Sequence, residues 1–179
     1  MKDDILGKRI TINPMKVIKK QTNSHNCLIC GMDNPAGAKA SFYEMEDGSV
    51  VALFKFNALL QSYPERTHGG VITAMIDETI GRAIWTKEPN MWGVTMTIDV
   101  KFRKPVPYDV PLKCIGKLTR DTSMTFEGEA KIIDENKTVL AEGHAVYFKL
   151  SYEKITNHDH EHEEDKMFVV KDNVKEIEL

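Results

Sequence analysis

No apolar run in these 179 residues approaches the roughly 20 needed for a membrane-spanning helix, so no membrane partner is expected. Net charge of one sign is also scarce. The chain carries 24 basic and 27 acidic side chains, a formal balance of −3, and nucleic acid is therefore not expected as a partner either. The first residues, Met1-Lys2-Asp3-Asp4-Ile5, lack the apolar centre of a secretory leader, and a cytoplasmic protein is expected. No internal repeat is visible.

Cysteine is limited to three residues. Cys114 sits alone in an expected strand. Cys27 and Cys30 form a CxxC whose spacing suits zinc, but a structural zinc site usually takes four ligands. No second CxxC follows. His25 is close, yet no fourth ligand is evident. Two reduced thiols at a turn is the reading adopted, with a metal and redox chemistry as the alternatives. No metal and no cofactor are assigned.

What the chain does have is enough length for one domain and a hydrophobic share of 41% that suits a real core. Two strands are expected first, over 40–46 and 49–57, joined at Asp47-Gly48. A loop over 60–67 follows. A helix over 69–87 then carries the apolar stripe Ile72, Met75, Ile76, Ile80, Ala83 and Ile84. Gly81 inside it is expected to permit close packing. Asp77 lies at the edge of that stripe, and Glu78 points about 100° further round, towards the polar side. Four more strands are expected over 92–103, 112–120, 124–134 and 138–150. One antiparallel sheet wrapped around one long helix, an α+β fold, satisfies this order. Residues 1–24 read as an arm or short helix, 25–150 as the domain, and 151–179 as a polar, solvated tail or short docking segment. Within that tail His158, His160 and His162 alternate with acidic residues, and a metal site there is the alternative reading.

The segment His68-Gly69-Gly70-Val71-Ile72-Thr73-Ala74-Met75-Ile76-Asp77-Glu78 holds the chemistry. Glycines at a helix start let a ligand approach the backbone. The first turn offers free N–H groups and the positive end of the helix dipole, a ready site for an oxyanion. Asp77 adds a base or nucleophile. It follows Gly69 by eight residues, about 12 Å along the axis, so one helix cannot bring both groups to one carbonyl. Two antiparallel copies can. The spacing predicts a dimer with Gly69 from one subunit facing Asp77 of the other.

Tyr63-Pro64-Glu65-Arg66-Thr67-His68-Gly69-Gly70, Met75-Ile76-Asp77-Glu78 and the run from Val94 to Pro107 resemble the hotdog-fold acyl-CoA thioesterases of the phenylacetate-pathway (PaaI-like) type. The lead-in from Asn26 to Pro35 is similar as well. The resemblance spans about residues 25–150. It implies a hotdog fold, a homodimer or homotetramer, and hydrolysis of an acyl-CoA to a free acid and CoA. It implies that the Gly69 N–H polarises the thioester carbonyl and that Asp77 acts as nucleophile or as general base for water. By the same resemblance Thr95 holds that water or carboxylate, and His68 sits near the leaving sulfur. Many relatives carry Asn or Gln six residues before the histidine; here Ser62 stands there, with Gln61 beside it. Gly70, Gln61 and Ser62 are taken as substrate contacts, and Arg103 and Lys104 as contacts to the CoA phosphates. The alternative is a non-catalytic acyl-CoA-binding or sensing module; a dehydratase on the same fold is a third reading.

Overall fold

Asp47-Gly48 turns the chain as its composition predicts. Gly48 takes a positive φ of 79°, and Asp47 Oδ1 accepts from the Ser49 backbone and hydroxyl at 3.0 and 2.6 Å. The turn joins β2 (Ser41–Met45) to β3 (Val50–Phe54), most of whose residues are buried. This is a computed structural model, and it describes residues 14–155 and 167–179. The other strands in chain order are β1 (Met15–Lys20), the short β4 (Gln61–Tyr63) and β5 (Arg66–Thr67), β6 (Trp92–Phe102), β7 (Leu112–Asp121), β8 (Thr125–Ile133), β9 (Val139–Leu150) and β10 (Glu176–Ile177). Eight of them form one sheet in the order β10-β1-β2-β3-β7-β8-β9-β6, every pair antiparallel. β4 and β5 form a separate small hairpin.

The long helix α1 (Gly69–Ala83) continues as a 3-10 turn over Ile84–Thr86 and lies across β3, β7, β8, β9 and β6. Its expected apolar stripe is buried throughout. Small residues in the sheet let it come close. A Cβ on Gly116 would stand 2.9 Å from Thr79, on Gly128 2.6 Å from Ile80, and on Gly143 2.9 Å from Ile76. Gly116 pairs with Ala130, Ala130 with Gly143, and Gly128 with Ala145, so a band of Gly and Ala runs across three strands beneath the helix. Gly81, expected to permit close packing against a strand or a second helix, is not in close contact with a strand. A Cβ there would meet the Tyr147 ring at 3.5 Å, an ordinary contact, so the close approaches belong to the sheet glycines.

The sheet extends past the expected domain at both ends. Residues 15–20 form β1 instead of an arm. Of the stretch read as a solvated tail or short docking segment, residues 167–179 dock on the sheet: Phe168 exchanges backbone hydrogen bonds with Asn23, and β10 pairs with β1. Ile177 is buried against Tyr43, Met45 and Val51. The Asp172 carboxylate holds this return, accepting from the Tyr43 hydroxyl and pairing with Lys20. A two-residue strand has no periodicity to read, and its partner lies about 160 positions away in the chain. His158, His160 and His162 lie outside the described residues.

Candidate active site

The chain enters α1 through the β4–β5 hairpin, which is pinned from both sides. Thr67 N–H donates to Val106, His68 N–H to Leu60, and Glu65 N–H to the Tyr108 hydroxyl. His68 then caps the helix, its Nδ1 accepting from Gly70 N–H at 3.0 Å. The Val71 and Ile72 N–H groups donate to the His68 carbonyl. That accounts for three of the four free donors of the first turn. Among the described residues, the Gly69 N–H is the donor of that turn left without an acceptor. Gly69 borders an open depression of about 410 Å³ that Arg103, Lys104, Tyr63 and Phe102 also line. His68 and Gly70 are exposed at the helix start, but neither lines the depression. Gln61 pairs with Thr67 inside the hairpin, and Gln61 and Ser62 are both exposed; neither lines the depression. Arg103 is shared with Glu142, which accepts from its guanidinium.

Two turns along the same helix, Asp77 is held from the sheet. Thr95 Oγ1 donates to Asp77 Oδ1 at 2.9 Å. The Tyr147 hydroxyl donates to the same Oδ1 at 2.9 Å and lies 2.8 Å from the Asp77 carbonyl. Thr95 and Tyr147 are cross-strand partners, and directly after Thr95 the β6–β9 register shifts by one residue. Such a bulge re-aims the side chains beside it. Tyr147 is stacked on Phe126, with ring centroids 4.7 Å apart. Burial, reinforced by the Asp77 carboxylate, pushes its phenol well above the ordinary range, so it stays a donor. Asp77, Glu78, Thr95 and Tyr147 line a small pocket of about 110 Å³, separate from the depression at Gly69.

Tyr147 was not among the residues expected from the sequence. It occupies an ordinary inward position of β9, and a buried tyrosine must find a partner for its hydroxyl. Only the β6–β9 register reveals that the partner is Asp77.

Glu78 also differs from expectation. It is half-buried, because the N-terminal lead-in covers much of that side of α1. Its Oε1 accepts from Arg82 Nε at 2.8 Å. Arg82 is itself buried, donates to the Thr22 carbonyl and lies over the rings of Phe42 and Trp85. Burial works against its charge, and Glu78 together with the two cysteines beside it more than offsets that cost. The Cys27 and Cys30 sulfurs and a Glu78 carboxylate oxygen all lie within 4.8 Å of one another. Both cysteines are free. The Cys30 thiol holds Cys27 down to about 6, whereas the same hydrogen bond and burial push Cys30 up.

A helix start with one open N–H, and a carboxylate clamped from the sheet behind it, are set in one large antiparallel sheet folded around one helix. The sequence profile of the Thioesterase superfamily matches residues 66–141, from the His-Gly-Gly helix start through β6 to β9. Residues 66–141 belong to the thioesterase superfamily. The fold is accordingly the hotdog fold. Mouse acyl-coenzyme A thioesterase THEM4 is 31% identical over 119 residues, 64% of this chain and 49% of its own. The chain spans about half the length of the curated relatives it matches. Among solved structures, the thioesterase superfamily protein RHA08564 superposes with a TM-score of 0.63 at 22% identity, covering 69% of this chain and 60% of its own. The Bacillus halodurans protein BH2602, solved with CoA, superposes with a TM-score of 0.57 at 19% identity, covering 63% and 75%. Among the described residues of this hotdog chain, no helix is long and apolar enough to cross a membrane.

Proposed function

We propose that this protein hydrolyses acyl-CoA thioesters at sites shared between two copies of the chain. The observation that carries the reading is the pairing of one unsatisfied N–H at Gly69 with a carboxylate, Asp77, that two neutral donors hold in place. They stand two helical turns apart, about 12 Å along the axis, and so serve different carbonyls unless a second helix runs antiparallel to the first. In such a dimer the Gly69 N–H of one copy polarises the thioester carbonyl. The developing oxyanion is stabilised by a few kcal/mol through that donor and the helix dipole. Asp77 of the other copy attacks the carbonyl or takes a proton from the attacking water. Thr95 and Tyr147 orient it, so its free oxygen faces the reaction. The CoA thiolate is a good leaving group, and the chemistry needs no metal. On this reading His68, which caps the same helix start, serves the leaving sulfur. Arg103 and Lys104 line the Gly69 depression, which supports a role for them as contacts to the CoA phosphates.

The mouse and rat relatives are named acyl-coenzyme A thioesterases, and two of the structural neighbours hold CoA or acetyl-CoA. The test is thiol release from short, long and aromatic acyl-CoAs by wild type and Asp77→Asn. Wild type releases CoA from at least one class, and the variant loses at least about 10²-fold in turnover while keeping its fold. Tight CoA-ester binding with no release by wild type would instead make this a sensing module.

A further inference from the structure

The Cys27–Cys30 segment is built more elaborately than a turn requires. Cys27 Sγ accepts from the N–H groups of Ile29 and Cys30 at 3.3 and 3.4 Å. The Gly31 N–H closes the loop onto the Cys27 carbonyl at 2.9 Å. A Cβ at Gly31 would stand 2.3 Å from that carbonyl oxygen, so only glycine permits this closure. The result is two thiols presented from one short loop, one of them in a nest of backbone donors that favours the thiolate. The loop is clamped from outside as well. Asn23 Nδ2 donates to the Cys30 and Ala40 carbonyls at 2.8 and 2.9 Å, and Ser24 Oγ lies 3.4 Å from Cys30 Sγ. Helix α1 brings the third donor, Glu78, from 48 residues further along the chain, one position past Asp77.

We propose that Cys27, Cys30 and Glu78 form a zinc site that fastens the N-terminal lead-in to helix α1, with water in the fourth position. Two sulfurs and a carboxylate exclude magnesium and calcium, which take oxygen ligands only, and suit a borderline-soft cation that accepts mixed donors. Tetrahedral bonds of about 2.3 Å to sulfur and 2.0–2.2 Å to oxygen place donor atoms roughly 3.5–3.8 Å apart. The three donors, already within 4.8 Å of one another, reach that spacing by small side-chain rotations. Charge balances too. Two thiolates and a carboxylate against a divalent cation and the Arg82 guanidinium leave no net charge in a half-buried place. Arg82 Nε already orients Glu78 through Oε1, as an outer partner orients a metal ligand. Cys27 is only partly buried, which leaves a route for the metal. His25 takes no part, since its Nδ1 is 2.6 Å from Asp33 Oδ2 and its ring lies against Phe168. This inference is independent of the hydrolase reading.

The test is an anaerobic titration of the stripped, reduced 179-residue chain with Co²⁺, followed by displacement with Zn²⁺. One equivalent should bind with thiolate-to-cobalt charge-transfer absorption in the near ultraviolet, and zinc should abolish it. Cys27→Ser and Cys30→Ser should lose the absorption. Glu78→Gln, close in shape, should keep it while weakening Co²⁺ binding by at least about tenfold. Histidine-bound metal in the 156–166 segment gives no such absorption, so metal content alone does not decide. Zn²⁺ should also protect Cys27 and Cys30 of wild type from iodoacetamide, read by peptide mass spectrometry, which requires no variant. Absence of a thiolate–cobalt band in reduced wild type, or a band that survives both cysteine substitutions, overturns the proposal. Alkylation of both cysteines at an unchanged rate in zinc overturns it as well.

Discussion

Asp77 owes its position to two side chains that differ in how openly the sequence declares them. Thr95 stands in a strand whose resemblance to known thioesterases points at it, whereas Tyr147 looks like one more inward residue of β9. Yet Tyr147 is the better anchored of the two, buried and stacked on Phe126 while Thr95 is exposed. A hydrogen bond to a charged group contributes about 1.5–3 kcal/mol, and on our reading most of that contribution acts on the orientation of the carboxylate. Tyr147→Phe should therefore lower turnover by roughly 10- to 100-fold with little change in KM, because it leaves the substrate contacts in place. Steady-state kinetics on the best acyl-CoA checks this. A rise in KM at unchanged kcat would place Tyr147 on the substrate instead.

At the scale of elements, the seating of α1 depends on residues the sheet leaves out. Gly128 has Ile80 Cγ2 at 2.6 Å and the Lys117 carbonyl at 2.9 Å from where a Cβ would lie. Gly128→Ala should destabilise the fold by about 1–3 kcal/mol through overpacking, seen as a lower Tm in thermal unfolding. A variant that melts with wild type would mean that the helix can lift without cost. The C-terminal return makes a second prediction. Burial tends to raise the Asp172 carboxyl, but the hydrogen bonds from Lys20 and Tyr43 together prevail and hold it below the usual carboxylate range. A carboxyl lowered in the folded state stabilises fully above its unfolded value of about 3.9 and loses that contribution as pH falls through the folded value. Hydrogen exchange at the Val17 amide, which donates to the Lys175 carbonyl, should run faster in acid relative to the intrinsic rate of an unprotected amide at the same pH. Asp172→Asn should show the faster exchange already at neutral pH, and exchange unaffected by the substitution would remove Asp172 from the clasp.

The whole sheet is closed unequally at its two edges. β10 is two residues long, whereas β6 runs for eleven residues with its outer side unpaired among the described residues. Val94, Met96 and Phe102 on it are 42%, 58% and 54% exposed. A long apolar edge is a template for another strand, and pairing two copies there would bring each Asp77 towards its partner's Gly69. Met96→Lys should shift the protein towards monomer in sedimentation velocity. If the site is shared, turnover should fall at least about 10²-fold in parallel, although Asp77, Thr95 and Tyr147 are untouched. A fully active monomer would reject the shared site.

Much of this was legible because its signals are local. The α1 stripe, the Asp47-Gly48 turn, the strands β2, β3 and β6 to β9, and the His-Gly-Gly helix start each rest on periodicity or on the backbone preference of a few adjacent residues. Even the two-turn gap between Gly69 and Asp77 is arithmetic on helical rise. Tertiary structure alone decided what depends on partners distant in the chain. It paired Thr95 with Tyr147 and so closed two donors on one carboxylate oxygen. It laid the lead-in over the side of α1 that looked polar, so that Glu78 is half-buried and faces two thiols and a buried arginine. It also drew residues 167–179, too short and too sparsely apolar to signal a strand, onto the edge of β1. A sequence records which residues are capable of such contacts; register and packing determine which of them meet.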